Sequence, residues 1–220
     1  MTPTLLATWL EIVAPWRAVF PQGRTYRRAV RQALGSLCCV GRRCLSRIIW
    51  AVGRQTRSWS AEYFLHSRCQ WDAQAPFHAI LERALPLCRG RLVGVAIDDT
   101  RLRKTGRCIE QAAFYRDPLS PPFHVNFIYG LRFVQAALLF PHHREGDFSA
   151  RGFPVAFKEA PVIKKPGKRA SAEDRTAYEW ARKQQNLSTQ TLAAIRSLRQ
   201  RLDQRGATHR TLLATVDGSF

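Results

Sequence analysis

Two carboxylates in this sequence share one local context. Leu92-Val93-Gly94-Val95-Ala96-Ile97 leads into Asp98, and Leu212-Leu213-Ala214-Thr215-Val216 leads into Asp217. Short apolar runs of this kind read as buried strands, so each carboxylate is expected at a strand's end. If the two strands are neighbours, Asp98 (or Asp99) and Asp217 lie side by side at one sheet edge. Like charges there repel unless a cation sits between them. Mg2+ suits such a place, being a hard ion content with a few carboxylates and phosphate oxygens. Two such ions can activate an attacking water and stabilise the leaving oxygen in phosphodiester cleavage. Asp also commonly begins the turn after a strand, so the spacing alone leaves that plainer role open.

The charge balance names the kind of partner. The 220 residues carry 35 Lys plus Arg against 16 Asp plus Glu, a net charge of +19, with 45% hydrophobic and 23% charged residues. That much apolar material excludes a disordered basic tail or a collagen-like chain and leaves room for one or two domains. A basic surface concentrates polyanions, and nucleic acid is the first candidate. Of the basic residues 29 are Arg and six are Lys, all six at or after Lys104. The planar guanidinium fork suits phosphate, although a biased genome would enrich Arg codons equally well.

Other chemistries are less well supported. Cys38, Cys39, Cys44, Cys69, Cys88 and Cys108 show no C-x-x-C spacing and no nearby paired His, so buried free thiols are expected rather than zinc. His142-His143 would point to opposite faces of a strand and make no metal pair. The six tryptophans are expected as core or interface anchors. The apolar start, Leu5 to Phe20, has Glu11 inside it and no basic stretch before it, unlike a targeting segment. The longest apolar run, Phe133 to Phe140, is far short of the roughly 20 residues a membrane span needs. The expectation is a soluble, cytoplasmic protein with no membrane partner.

These residues need elements to position them. Up to about Gly90 apolar residues recur at threes and fours. Leu5, Trp9, Ile12, Val13, Trp16 and Phe20 make one helical face with a kink at Pro15. Tyr26 to Leu37 and Leu45 to Val52 make two more helices, with Gly35 tolerated and Gly41 a stop. Ala61 to Arg68 and Phe77 to Cys88 follow as helical patches. Between Ile12 and Ala61 there is no acidic residue, while ten arginines run from Arg17 to Arg57. Residues 1–90 thus resemble a helix-turn-helix DNA-binding region whose second helix carries Arg42, Arg43, Arg47 and Arg54; a solvated basic face is the plainer alternative.

From residue 91 to 220 short apolar runs predict strands at Leu92 to Ile97, Cys108 to Tyr115 and Val125 to Phe140, the last broken near Gly130. Pro154 to Ala170 is expected as a loop. One long helix from Glu173 to about Arg205 follows, with a Ser171/Asp174 capping box, then a strand from Thr211 to Val216. Three strands, a helical connection and a further strand imply an antiparallel meander with a parallel crossover, an α/β mixed sheet.

The residues around the two aspartates resemble a known family. Val95-Ala96-Ile97-Asp98-Asp99-Thr100-Arg101-Leu102-Arg103-Lys104-Thr105-Gly106 is similar to the first-aspartate motif of insertion-sequence transposases of the DDE superfamily, a D-x-T followed by Lys and Gly. Asn126 to Val134 resembles the strand pair after it. Ala214-Thr215-Val216-Asp217-Gly218-Ser219-Phe220 resembles the second-aspartate motif. The resemblance implies a ribonuclease-H-like mixed sheet with helices, incomplete here, behind the helical basic region. It implies Asp98 and Asp217 as catalytic metal ligands, with Asp99 the rival for first place, and two Mg2+ or Mn2+ ions in the complete enzyme. Lys104 would contact phosphate or stand as a solvated turn lysine. Lys164, Lys165, Lys168 and Arg169 would clamp the DNA backbone or form a solvated loop.

The same resemblance implies double-stranded DNA as partner, cleavage and strand transfer as the reaction, and at least a homodimer in a bacterial, nucleoid-associated setting. The family's third carboxylate, a Glu on a helix beyond the second aspartate, has no counterpart before Phe220. Little strand transfer is therefore expected from this chain alone, and the final strand is expected to leave one sheet face uncovered. An inactive DNA-binding remnant or truncated regulator is the alternative reading. A basic RNA-binding protein is the third.

Overall fold

The computed structural model describes residues 4–106, 108–117, 119–121, 123–141 and 149–216. They fall into two compact units that meet between Ala79 and Ile80.

The first unit is helical because its apolar residues repeat at helical spacing and its breaks carry the turn chemistry. Thr4 caps α1 (Leu5–Val13) by accepting from the Ala7 N–H, and Pro15 converts the next residues, Ala14–Ala18, into a 3-10 turn rather than a kinked helix. α2 (Gly23–Cys38) ends before Gly41, whose positive φ of 83° suits glycine, and α3 (Leu45–Ala51) and α4 (Ser60–Ser67) follow. Val13, Phe20, Ile48, Ile49 and Leu65 are buried here. α2 and α3 pack closely at Gly35, where an added Cβ would lie 2.8 Å from Val52 Cγ1 and 2.9 Å from Ile48 Cγ2. α5 (Ala75–Ala84) spans the boundary between the units.

The second unit is built on β1 (Leu92–Arg103), in which Val93, Val95 and Ile97 alternate onto the buried face. β2 (Ala113–Arg116), β3 (Phe127–Pro141) and β4 (Ala150–Glu159) complete an antiparallel array around it. β3 is the spine: β1 lines one of its edges, while β2 and β4 share the other at successive positions. After β4 the chain crosses through α6 (Ala172–Gln184) and α7 (Leu187–Gln204) and returns as β5 (Thr211–Val216), parallel to β1. The mixed α/β sheet expected from the sequence is therefore present. Leu198 and Leu202 of α7, with Leu81 of α5 and Leu85 just after it, cover the face formed by Val93, Val95, Ile97, Val134, Ala136 and Leu138. Burying a leucine such as Leu202 stabilises by about 1.5–3 kcal/mol.

Four expectations need correction. The expected loop from Pro154 to Ala170 begins only after Glu159: β4 pairs with β3 from Ala150 to Glu159, and Pro154 is accommodated by a register shift at Ala136/Ala137 on the edge. The single helix 173–205 is two, because Asn186 caps a new start at α7 by accepting from the Thr189 N–H. β3 does not break at Gly130; that residue pairs with Arg103 and Ala113, and the Leu102 carbonyl packs so closely on it that no side chain fits. β2 starts at Ala113 rather than Cys108. Ser171 and Asp174 do form the expected capping box at α6. No helix among the described residues is long and apolar enough to cross a membrane.

Candidate functional site

β1 carries both candidate first aspartates in its middle rather than at its end as expected, because pairing with β3 continues the strand through Arg103, and the alternation of the strand separates them. Asp99 continues the face of Val93, Val95 and Ile97; Asp98 lies on the other face, paired across with Gln135 of β3. Asp98 is exposed, and its Oδ1 accepts the Asp99 N–H at 2.7 Å. The Asp99 side chain is 7% exposed and forms an ion pair with the Arg101 guanidinium at 3.0 Å. Arg132 stands near them, donating through Nε to the Ala160 carbonyl at 3.0 Å with its guanidinium 5.4 Å from the centre of the Tyr115 ring. Burial pulls the Arg132 guanidinium below its ordinary value, opposed by Tyr115 and Asp99. Burial pushes the Tyr115 phenol up, against the nearby Arg132 charge.

Asp217 lies outside the described residues, as do His142 and His143. What is described is the approach to it. β5 pairs with β1 from Leu92 with Thr211 to Ile97 with Val216. The residue before Asp217 in sequence thus pairs with the residue before Asp98. Among the described residues no group of three or more His, Cys, Asp or Glu could hold a metal ion. For a hard cation Asp98 has the suitable chemistry, an exposed carboxylate engaged among the described residues by a backbone N–H, whereas Asp99 is already committed to Arg101.

The basic candidates are distributed rather than gathered. Of the four arginines expected on one helix only Arg47 is in α3; Arg42 and Arg43 belong to the preceding link and Arg54 to the turn after it. Two of them are occupied with the backbone at the end of α2: Arg43 Nε donates to the Ser36 carbonyl at 2.9 Å and Arg47 to the Val40 carbonyl at 3.5 Å. These contacts satisfy carbonyls that a helix end leaves open, which is why such residues need not face solvent together. Lys104 is half-buried at the end of β1, and Lys164, Lys165, Lys168 and Arg169 are exposed between β4 and α6.

The buried thiols expected from the sequence are mostly not found, and the tryptophans divide between packed and exposed. Of the six free cysteines only Cys39 is buried; Cys38, Cys44 and Cys108 are exposed. The hydroxyl of Ser46, 3.3 Å from the Cys44 sulfur, lowers the Cys44 thiol below its ordinary value. Trp9 and Trp16 pack edge to face and Trp71 packs on Phe20, but Trp50 and Trp180 are 62% and 65% exposed and anchor no core.

Sequence reasoning missed one buried polar centre altogether. Glu62, 3% exposed on α4, is paired with Arg31 and approached by Arg28 at 3.9 Å. Gln32 Nε2 donates to the Glu62 carboxylate at 2.9 Å and to its carbonyl at 3.0 Å, and the Gln32 Oε1 lies 2.7 Å from His66 Nε2. The available signal was that Glu62 is the first acid after an all-basic stretch. Compared with family models, curated proteins and solved structures, the chain matches none.

Proposed function

We propose that this is a DNA-binding protein of the DDE transposase kind, with a ribonuclease-H-like sheet whose two aspartates, Asp98 in the middle of β1 and Asp217 just after β5, serve phosphodiester cleavage and strand transfer. The observation that carries the reading is the parallel pairing of β1 with β5, with Val216 opposite Ile97. Those strands are the ones that lead into the two aspartates. The arrangement around them, an antiparallel meander followed by a helical crossover onto β1, is what the resemblance of the two motifs implies. The +19 charge supports a polyanionic partner.

Within this reading Asp98 rather than Asp99 takes the first place, since its carboxylate is exposed and Asp99 is tied to Arg101. Mg2+ or Mn2+, when bound, supplies Lewis-acid stabilisation of charge at the phosphate. The chain's own part is to hold the Asp98 carboxylate on the exposed face of a paired strand and to bring the DNA backbone to it with Lys104 and the basic loop before α6.

Two measurements on the full chain test this. Duplex DNA binding should weaken steeply with salt, because each neutralised phosphate releases counterions. Mn2+ binding, read by electron paramagnetic resonance, should weaken in Asp98→Asn and in Asp217→Asn and persist in Asp99→Asn. Equal Mn2+ binding in all four proteins would remove the metal site, and salt-independent or absent DNA binding would remove the DNA reading.

A further inference from the structure

α6 is unusual in this fold. It is a thirteen-residue helix with no buried residue, and Trp180 on it is 65% exposed. A helix of this length holds poorly by itself. Here it is held by its capping box and by Arg175, whose guanidinium donates to the Lys168 carbonyl at 2.9 Å. That bond ties the helix to the basic loop before it, and the two line a half-open pocket of about 460 Å³. Lys165, Lys168, Arg175 and Arg182 line the pocket with Tyr178, and Glu179 is the one carboxylate in the lining. Among the described residues no ion pair engages Lys165, Lys168 or Arg182. Lys164, Arg169 and Lys183, all exposed, extend the positive charge beyond its rim.

We propose that this pocket binds a single strand of nucleic acid, with a phosphodiester between Lys165, Lys168 and Arg182 and an unpaired base against Tyr178. The excess of cations selects an anion, and their continuation along loop and helix selects a chain of phosphates over one. The pocket's size admits a nucleotide and not a duplex, whose bases are in any case stacked on each other. An aromatic ring beside a basic track is how sequence-tolerant single-strand binding works, each base offering a π face. The inference rests on the nucleic-acid part of the proposed function and not on its metal-dependent part.

The test uses the full chain, a fluorescein-labelled twelve-nucleotide single strand, the matching duplex, and a single strand carrying 2-aminopurine. The triple variant Lys165→Ala/Lys168→Ala/Arg182→Ala should bind the single strand with a log–log salt slope shallower by about 2. Tyr178→Ala should bind it at least about fivefold more weakly and lose the 2-aminopurine quenching, and Tyr178→Phe should restore both. Unchanged single-strand binding in these variants, alongside salt-sensitive duplex binding, overturns this pocket and leaves the DNA reading standing. Equal losses for duplex and single strand in Tyr178→Ala, or competition by adenosine monophosphate as effective as by the oligonucleotide, also overturn it. Failure of the unaltered chain to bind any nucleic acid overturns both.

Discussion

Asp98 and Asp99 are consecutive, yet one presents its carboxylate to solvent and the other is 7% exposed against Arg101 at 3.0 Å. Strand alternation alone makes the difference, and it gives the two residues separable consequences on substitution.

Asp98→Ala should leave thermal stability within about 0.5 kcal/mol, since an exposed side chain is removed. Asp99→Ala should cost about 2 kcal/mol, because it strips Arg101 of its ion-pair partner beside the partly buried Arg132. Urea unfolding of both variants checks this, and equal midpoints would contradict the assignment of roles.

Removing the carboxylate of Glu62 should loosen the helical unit. Glu62→Ala leaves Arg28 and Arg31 turned toward a centre without its carboxylate and leaves Gln32 only the backbone carbonyl at that position. Because both arginines keep some contact with water, the expected loss is about 2–3 kcal/mol. A circular-dichroism melt should show the loss of helix at lower temperature.

Gly130→Val should be more damaging than Gly35→Ala. At Gly130 the obstacle is the rigid Leu102 backbone in the centre of the sheet. At Gly35 it is chiefly the side chains of Val52 and Ile48, with the Ile48 carbonyl at 3.1 Å, so the obstacle is mostly side chain that must shift. We expect a loss of about 3 kcal/mol or failure to fold for the first, and about 1–2 kcal/mol for the second. Differential scanning calorimetry ranks them.

The cysteines should react in a definite order. Ser46 and the backbone N–H of Arg47 stabilise the Cys44 thiolate, so this exposed thiol ionises at lower pH than an ordinary one. Cys88 is shifted the other way by burial, partly offset by Arg210. Iodoacetamide at pH 7.5 with peptide mapping should label Cys44 ahead of Cys88, and Ser46→Ala should slow Cys44. For stability the signs follow from protons bound: Cys88 and Tyr115 both hold their protons more tightly when folded. The unfolded chain therefore loses protons first as pH rises, and folding stability declines from the ordinary thiol range upward. An alkaline midpoint unaffected by Cys88→Ala would argue against the thiol's share.

Elements whose burial is regular were legible in the sequence. Leu92 to Ile97 and Thr211 to Val216 announce themselves as apolar runs, the helix start at Leu45 follows its periodicity, and the start at Ala172, one residue before the expected Glu173, follows its capping box. β4 was hidden because Arg151, Gly152 and Pro154 look like loop residues; an edge with a register shift tolerates them. The polar half of β1, from Asp98 to Arg103, is a strand only because β3 pairs with it out to Gly130, a tertiary fact that no local pattern records. The grouping of Lys165, Lys168, Tyr178 and Arg182 escaped notice for a related reason. They come from a loop and a helix joined by one hydrogen bond, Arg175 to the Lys168 carbonyl.

The pairing of β5 with β1 joins segments about 120 residues apart in the chain, so closing it costs more loop entropy than any local hairpin, though the penalty grows only logarithmically. A strand of this kind docks late in folding, after the β1–β3–β4 meander and α7 have given it a surface to add to. It has one ladder and an outer edge, so in the native protein it is also an early candidate to open. Amide hydrogen exchange along Thr211 to Val216 should then run ahead of exchange in the core of β3. The segment that leads to Asp217 thereby has little kinetic protection, and a ligand bridging Asp98 in β1 and the end of β5 would act as a staple, slowing that exchange in proportion to its affinity.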